Sequence, residues 1–140
     1  MKENHHKDLA RHRLEKAYYN LSVARANYHQ GFYEDTITKS YYAILTAMRA
    51  LLALVHRDSK RHDGVITLFH QHFVKENLFP KEFNKFITKM KKLREDADYG
   101  DYVEVTKAEA TEEIQQAEKF LRKVEEVVIK LLANNSKINH

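Results

Sequence analysis

Ile37-Thr38-Lys39-Ser40-Tyr41-Tyr42-Ala43-Ile44-Leu45-Thr46-Ala47-Met48-Arg49-Ala50-Leu51-Leu52-Ala53-Leu54-Val55 is the most apolar run of the chain. Ile37, Tyr41, Ile44, Met48, Leu51, Leu52 and Val55 recur at three- and four-residue steps, which predicts a helix. Ser40, Ala43, Ala47 and Ala50 add a row of small side chains that lets neighbouring helices approach closely, so this helix belongs at the centre of a bundle. Glu34 and Asp35 sit where the positive end of its dipole favours acids.

The elements around it follow the same periodicity. A first helix from Lys7 or Asp8 carries Leu14, Ala17, Tyr18, Leu21, Ala24 and Tyr28 inward and stops at Gly31. The very short connection to Tyr33 makes the first two helices an antiparallel hairpin. After the polar break Arg57–Asp63, a shorter helix presents Val65, Ile66, Leu68, Phe69, His72 and Phe73, with Ser59 or Asp63 as candidate cap. A fourth opens at Pro80 and carries Phe83, Phe86, Ile87, Met90, Leu93 and Ala97 to a stop near Gly100. Thr106 and Glu109 have the spacing of a capping box and start a fifth. That last helix buries Ala110, Ile114, Ala117, Phe120, Leu121, Val124, Val128, Leu131 and Leu132. The expectation is an all-α protein, an up-and-down antiparallel bundle of four to five helices in one domain over 1–140, with 1–6 and 134–140 flexible.

Composition agrees. In 140 residues there are three Gly and one Pro, against 43% hydrophobic and 31% charged residues, which suits long helices better than turn-rich β structure. A domain of this length buries roughly 68–70% of its unfolded surface, enough for one core. With no Cys there is no disulfide framework, thiolate metal site or Cys nucleophile. No apolar signal core or membrane-length segment is evident, so a soluble, cytoplasmic protein is expected. A net charge of +4 permits a nucleic-acid partner without requiring one.

The fourth helix breaks a local rule. Glu95, Asp96 and Asp98 crowd its last turn, where the dipole is negative and each exposed carboxylate costs roughly 0.3–1 kcal/mol. Arg94 and Asp98 share a face, but the base precedes the acid, and such pairs contribute only about 0.2–0.5 kcal/mol. Cations from another segment are therefore expected to gather here. Lys60-Arg61-His62 is one source, and would neutralise the turn or bind a phosphate. Lys81, Lys85, Lys89 and Lys92 form a second basic stripe, read either as an ordinary solvated helix face or as a track for phosphates. Tyr42 and Arg49, seven residues apart, form a polar strip on the central helix.

Other chemistry finds less support. His70 and His72 point in different directions on a helix, and His5 and His6 lie at the terminus, so no zinc site is expected. The three carboxylates of the acidic turn would need further oxygen ligands to hold magnesium. Phosphate-binding glycine loops, nucleophile elbows and HExxH helices are absent.

Tyr28–Gly31, Ser40-Tyr41-Tyr42-Ala43, Arg49-Ala50-Leu51-Leu52, Lys60, His62-Asp63-Gly64-Val65 with Phe69 and Phe73, Leu93-Arg94 with Ala97-Asp98-Tyr99, and Ala117-Glu118-Lys119-Phe120-Leu121 occur in an order that resembles the HEPN domains, specifically small stand-alone prokaryotic members. The resemblance covers most of the chain. It implies a helical bundle, usually a homodimer, with many members being metal-independent ribonucleases, several of them toxins paired with nucleotidyltransferase-fold antitoxins. Catalytic members carry an Arg followed four to six residues later by a His. Arg94 matches the Arg, while Asp98, Tyr99 and Gly100 occupy the downstream positions.

Three readings follow. One is a nucleotide- or RNA-binding module centred on Arg94, Asp98 and Tyr99, with Lys60, Arg61, Arg49, Tyr42, Lys89 and Lys92 as ligand-binding residues, no cofactor and no metal. A second is an RNA endonuclease in which His62 supplies the missing imidazole. The third is a dimeric adaptor without a ligand.

Overall fold

The computed structural model describes residues 2–99 and 104–138. Five α-helices make up the fold: α1 (Lys2–His29), α2 (Tyr33–Leu54), α3 (His62–Phe69), α4 (Glu82–Tyr99) and α5 (Lys107–Ile138). A π-helical turn, His70–Val74, extends α3. The described residues contain no strand.

Gly31 makes the α1–α2 hairpin possible. Its φ of 82° lies in the left-handed region that a glycine enters without penalty. Across α1 and α5, Tyr28 meets Thr111, Arg25 meets Glu118 and Tyr18 meets Glu125, so these helices run antiparallel. Phe83 against Phe120 and Lys89 against Glu112 set α4 antiparallel to α5 as well. Thus α1, α2, α4 and α5 alternate in direction, and α3 with its π turn is inserted between α2 and α4. This is the expected up-and-down bundle.

The centre is α2. Ser40, Ala43, Ala47 and Ala50 are completely buried, as are Ile37, Met48, Leu51 and Leu52. Small side chains on one face let α1 and α5 pack closely, while the larger ones fill the space between. A cluster of Phe69, Phe73, Phe79, Phe83 and Phe120 joins the α3–α4 flank to α5 through edge, tilted and stacked ring contacts. Each aromatic pair adds roughly 0.5–1.5 kcal/mol beyond the area it buries.

Several boundaries differ from expectation. α1 begins at Lys2, five residues before Lys7, because a polar first turn carries no apolar period to mark it. α4 begins at Glu82; Pro80 and Lys81 form a preceding turn whose carbonyls accept from Phe83 and Asn84. Neither Ser59 nor Asp63 caps α3: the N-cap is Arg61, the Ser59 hydroxyl accepts from its amide, and Asp63 pairs with Lys91. The capping box of α5 forms as read, with Thr106 Oγ1 accepting from the Glu109 amide at 3.1 Å and Glu109 accepting in return from the Thr106 amide at 3.0 Å. α5 continues past Asn134 to Ile138. The expected stop at Gly100, the Ala97 side chain and the first and last residues lie outside the described residues.

One buried acid stands out. Glu113 on α5 is 2% exposed, and its Oε2 has no partner among the described residues. Burial, reinforced by Glu112, raises its pKa from 4.5 to about 7.

Candidate functional site

Where α3 starts, the bundle leaves an open pocket of about 320 Å³. α2 supplies Tyr41, the first turn of α3 supplies His62 and Asp63 with Arg61 just before them, and α4 supplies Lys91, Arg94 and Glu95. Lys91, Arg94 and Glu95 fall on one face because they are three and four residues apart.

Arg94 organises this pocket. Its side chain is 13% exposed, and Nη1 donates to Asp98 at 2.9 Å. The guanidinium lies over the Tyr41 ring, 5.0 Å from its centroid, a cation–π contact. Tyr41 in turn packs against His62, centroids 5.8 Å apart, and Tyr42 meets the same imidazole at 5.7 Å. Two donors are left over. The Arg94 Nε and the Tyr41 hydroxyl are both buried with no partner among the described residues. Burial pushes the Tyr41 hydroxyl up to about 12, so it keeps its proton at neutral pH.

The electrostatics of His62 follow from the same packing. Burial lowers its pKa below the usual 6.5, and the positive charges of Arg94 and Arg49 lower it further. The imidazole is therefore neutral at pH 7 and able to accept a proton. Lys91 and Asp63 pair directly, which holds the Asp63 carboxyl below its usual range. Three fixed cations, Arg61, Lys91 and Arg94, thus face two carboxylates, Asp63 and Glu95.

The connection carrying Arg61 and His62 is tied down from two sides. Arg49 donates to the Ser59 carbonyl at 2.7 Å, and its Nε lies 3.9 Å from Asp58. Arg13 on α1 donates to Asp58 at 3.1 Å and to the Arg49 carbonyl at 3.1 Å. Arg49, expected among the ligand-binding residues, is thus engaged with Ser59 and Asp58 as a strut for this connection.

Of the other sequence-derived residues, Asp98 is held by Arg94, and Tyr42 reaches the site through His62. Tyr99 is 80% exposed and lines no part of the pocket. Lys89 turns to Glu112 on α5, 3.6 Å away, and the exposed Lys60 and Lys92 do not line the pocket either. From the α2–α3 connection only Arg61 shares the pocket with Glu95, alongside Lys91 of α4 itself. Asp98, however, is neutralised by its own helix, because Arg94 is shielded enough for a short pair to hold. Lys91 and Tyr41 escaped the sequence reading as site residues. Lys91 lies one turn before Arg94 and was legible in principle, whereas Tyr41 looked like core.

Among the described residues, no group of three or more His, Asp or Glu side chains is arranged to hold a metal ion. No described helix is long and apolar enough to cross a membrane.

The HEPN domain profile matches residues 10–127, which includes every residue of this pocket. Similar chains include "Putative toxin MJ0605" of Methanocaldococcus jannaschii, 34% identical over 85% of this chain and 88% of the relative. "Putative toxin MJ0142" of the same organism is 29% identical over 83% of this chain and 79% of its own. A UPF0332 protein of Archaeoglobus fulgidus is 34% identical, with 84% and 94% covered. With the profile spanning most of the bundle and these relatives matched over 79–94% of their length, the chain belongs to the HEPN family.

Proposed function

We propose that this HEPN protein is a toxin-like module that binds the phosphate of a nucleotide or RNA at the Arg94 pocket and works, as a cytoplasmic homodimer, with a nucleotidyltransferase-fold antitoxin. The observation that carries the ligand is the open pocket itself, with Arg61, Lys91 and Arg94 brought to its wall from the α2–α3 connection and α4. An anion with several oxygens takes charge-assisted hydrogen bonds from such a set of cations, roughly twice as strong as neutral ones. The toxin role rests on the names of two relatives. Exposed apolar side chains at Tyr19, Phe32 and Ile129 give a second copy something to cover.

The test is binding of a labelled single-stranded RNA across a salt series. Affinity should fall as salt rises, with a slope of about −0.7 per phosphate neutralised, and Arg94→Ala should weaken it at least tenfold. Equal, salt-independent affinity in both proteins would defeat the reading. Mass in solution tests the dimer, and co-expression with a neighbouring nucleotidyltransferase-fold protein tests the partner.

A second reading, metal-independent RNA cleavage, is favoured by the neutral imidazole of His62 beside Arg94. His62 would take the 2′-hydroxyl proton while Arg94 steadies the phosphate. Cleavage in EDTA would then show an acid limb below pH 6.5 and vanish in His62→Ala; an RNA left whole by the wild type removes this reading.

A further inference from the structure

Two pockets lie in succession along α3 and α4, the Arg94 pocket being one of them. From Asp63, α3 climbs through Ile66 and Thr67 to His70 and Gln71, while α4 descends from Glu95, Arg94 and Lys91 through Thr88 and Ile87 to Asn84. The first part of each series lines the Arg94 pocket, and the second lines a neighbouring one of about 470 Å³. Seven residues of helix span roughly 10 Å. That is about the reach from a phosphate to the base of its own or the next nucleotide.

The two ends differ in chemistry. Every fixed charge lies at the Arg94 end. At the far end Ile66 and Ile87 supply an apolar floor, with Ile87 only 4% exposed. Around it stand the amides of Gln71 and Asn84 and the hydroxyls of Thr67 and Thr88, with the His70 imidazole. No side-chain hydrogen bond among the described residues engages them. An apolar floor with a neutral hydrogen-bonding rim suits a flat heteroaromatic ring whose edge both donates and accepts. The π turn starts at His70, where the Lys75 amide donates to the His70 carbonyl at 2.9 Å across five residues. Such a turn shifts side chains out of α-helical register, and π turns recur at functional sites.

We propose that the second α3–α4 pocket is a nucleobase pocket, so that the ligand is a single-stranded ribonucleotide segment with a phosphate at Arg94 and a base seated over Ile66 and Ile87. This rests on the phosphate reading above and extends it from charge to base recognition. Gln71 and Asn84 read the base edge, while Arg94 sets the position of the backbone.

The test compares short single-stranded oligoribonucleotides with abasic ones of equal length. The wild type binds the base-bearing strands at least tenfold tighter, as expected for about two hydrogen bonds of roughly 1 kcal/mol each. The Gln71→Ala/Asn84→Ala double variant brings that ratio near one while leaving the abasic affinity unchanged, whereas Arg94→Ala weakens both. Should the double variant fail to fold by circular dichroism, Thr67→Val/Thr88→Val asks the same question. Equal wild-type affinity for both strands, lost in Arg94→Ala, overturns the base pocket and leaves the phosphate reading intact. Failure of either strand to bind overturns both.

Discussion

Two polar seams run through this bundle, and they are built differently. Between α1 and α5, polar groups meet across the interface: Tyr18 with Glu125 at 2.5 Å, Arg25 with Glu118 at 2.9 Å, and Tyr28 with Thr111 at 2.7 Å. Between α3 and α4, Lys91 and Asp63 pair, but the Arg94 Nε, the Tyr41 hydroxyl beside it and the Gln71 and Asn84 amides have no such partners among the described residues. The first seam spends its polar groups on holding helices together. The second leaves several of its own unpaired, and its cohesion comes from phenylalanine rings instead.

That contrast predicts where damage should fall. Phe120→Ala should do most, because one ring from α5 anchors Phe69, Phe79 and Phe83; a loss of about 3–5 kcal/mol is expected in urea unfolding. Next comes pH. Glu113 binds its proton more tightly folded than unfolded, so it stabilises the fold below pH 4.5, and that contribution drains away as pH rises towards about 7. The decline is at most about 1.4 kcal/mol per pH unit, and Glu113→Gln should flatten it in melts between pH 4.5 and 8. Arg94→Ala should reduce RNA affinity at least tenfold with little change in melting temperature, separating the binding seam from the structural one. Tyr18→Phe should cost about 0.5–1.5 kcal/mol of stability and nothing in RNA affinity. The smallest effect belongs to Arg25→Ala, up to about 1 kcal/mol, since that pair is partly open to solvent. A loss of RNA binding in either α1–α5 variant would dissolve the distinction.

Local chemistry made some of this legible. The α2 pattern of small and large side chains placed it at the centre, and Thr106 with Glu109 marked the start of α5, because both signals are complete within a few residues. The acidic last turn of α4 drew attention to Arg94 for the same reason. What the sequence withheld depends on how helices lie against one another. His70-Gln71-His72 reads as ordinary helix, and the π turn within it has no compositional mark. Tyr41 looked like filler because its role requires α4 to pass overhead. The pairing of Lys89 with Glu112 on α5 likewise depends on how the two helices lie.

The strut from Arg13 through Asp58 to Arg49 has a wider consequence. It couples α1 to the loop that delivers His62, so the geometry of this corner depends on a helix that contributes none of the residues lining its pocket. Homologous proteins could retune this corner from a distance, by lengthening or severing that tether, without altering a single group that a ligand would meet.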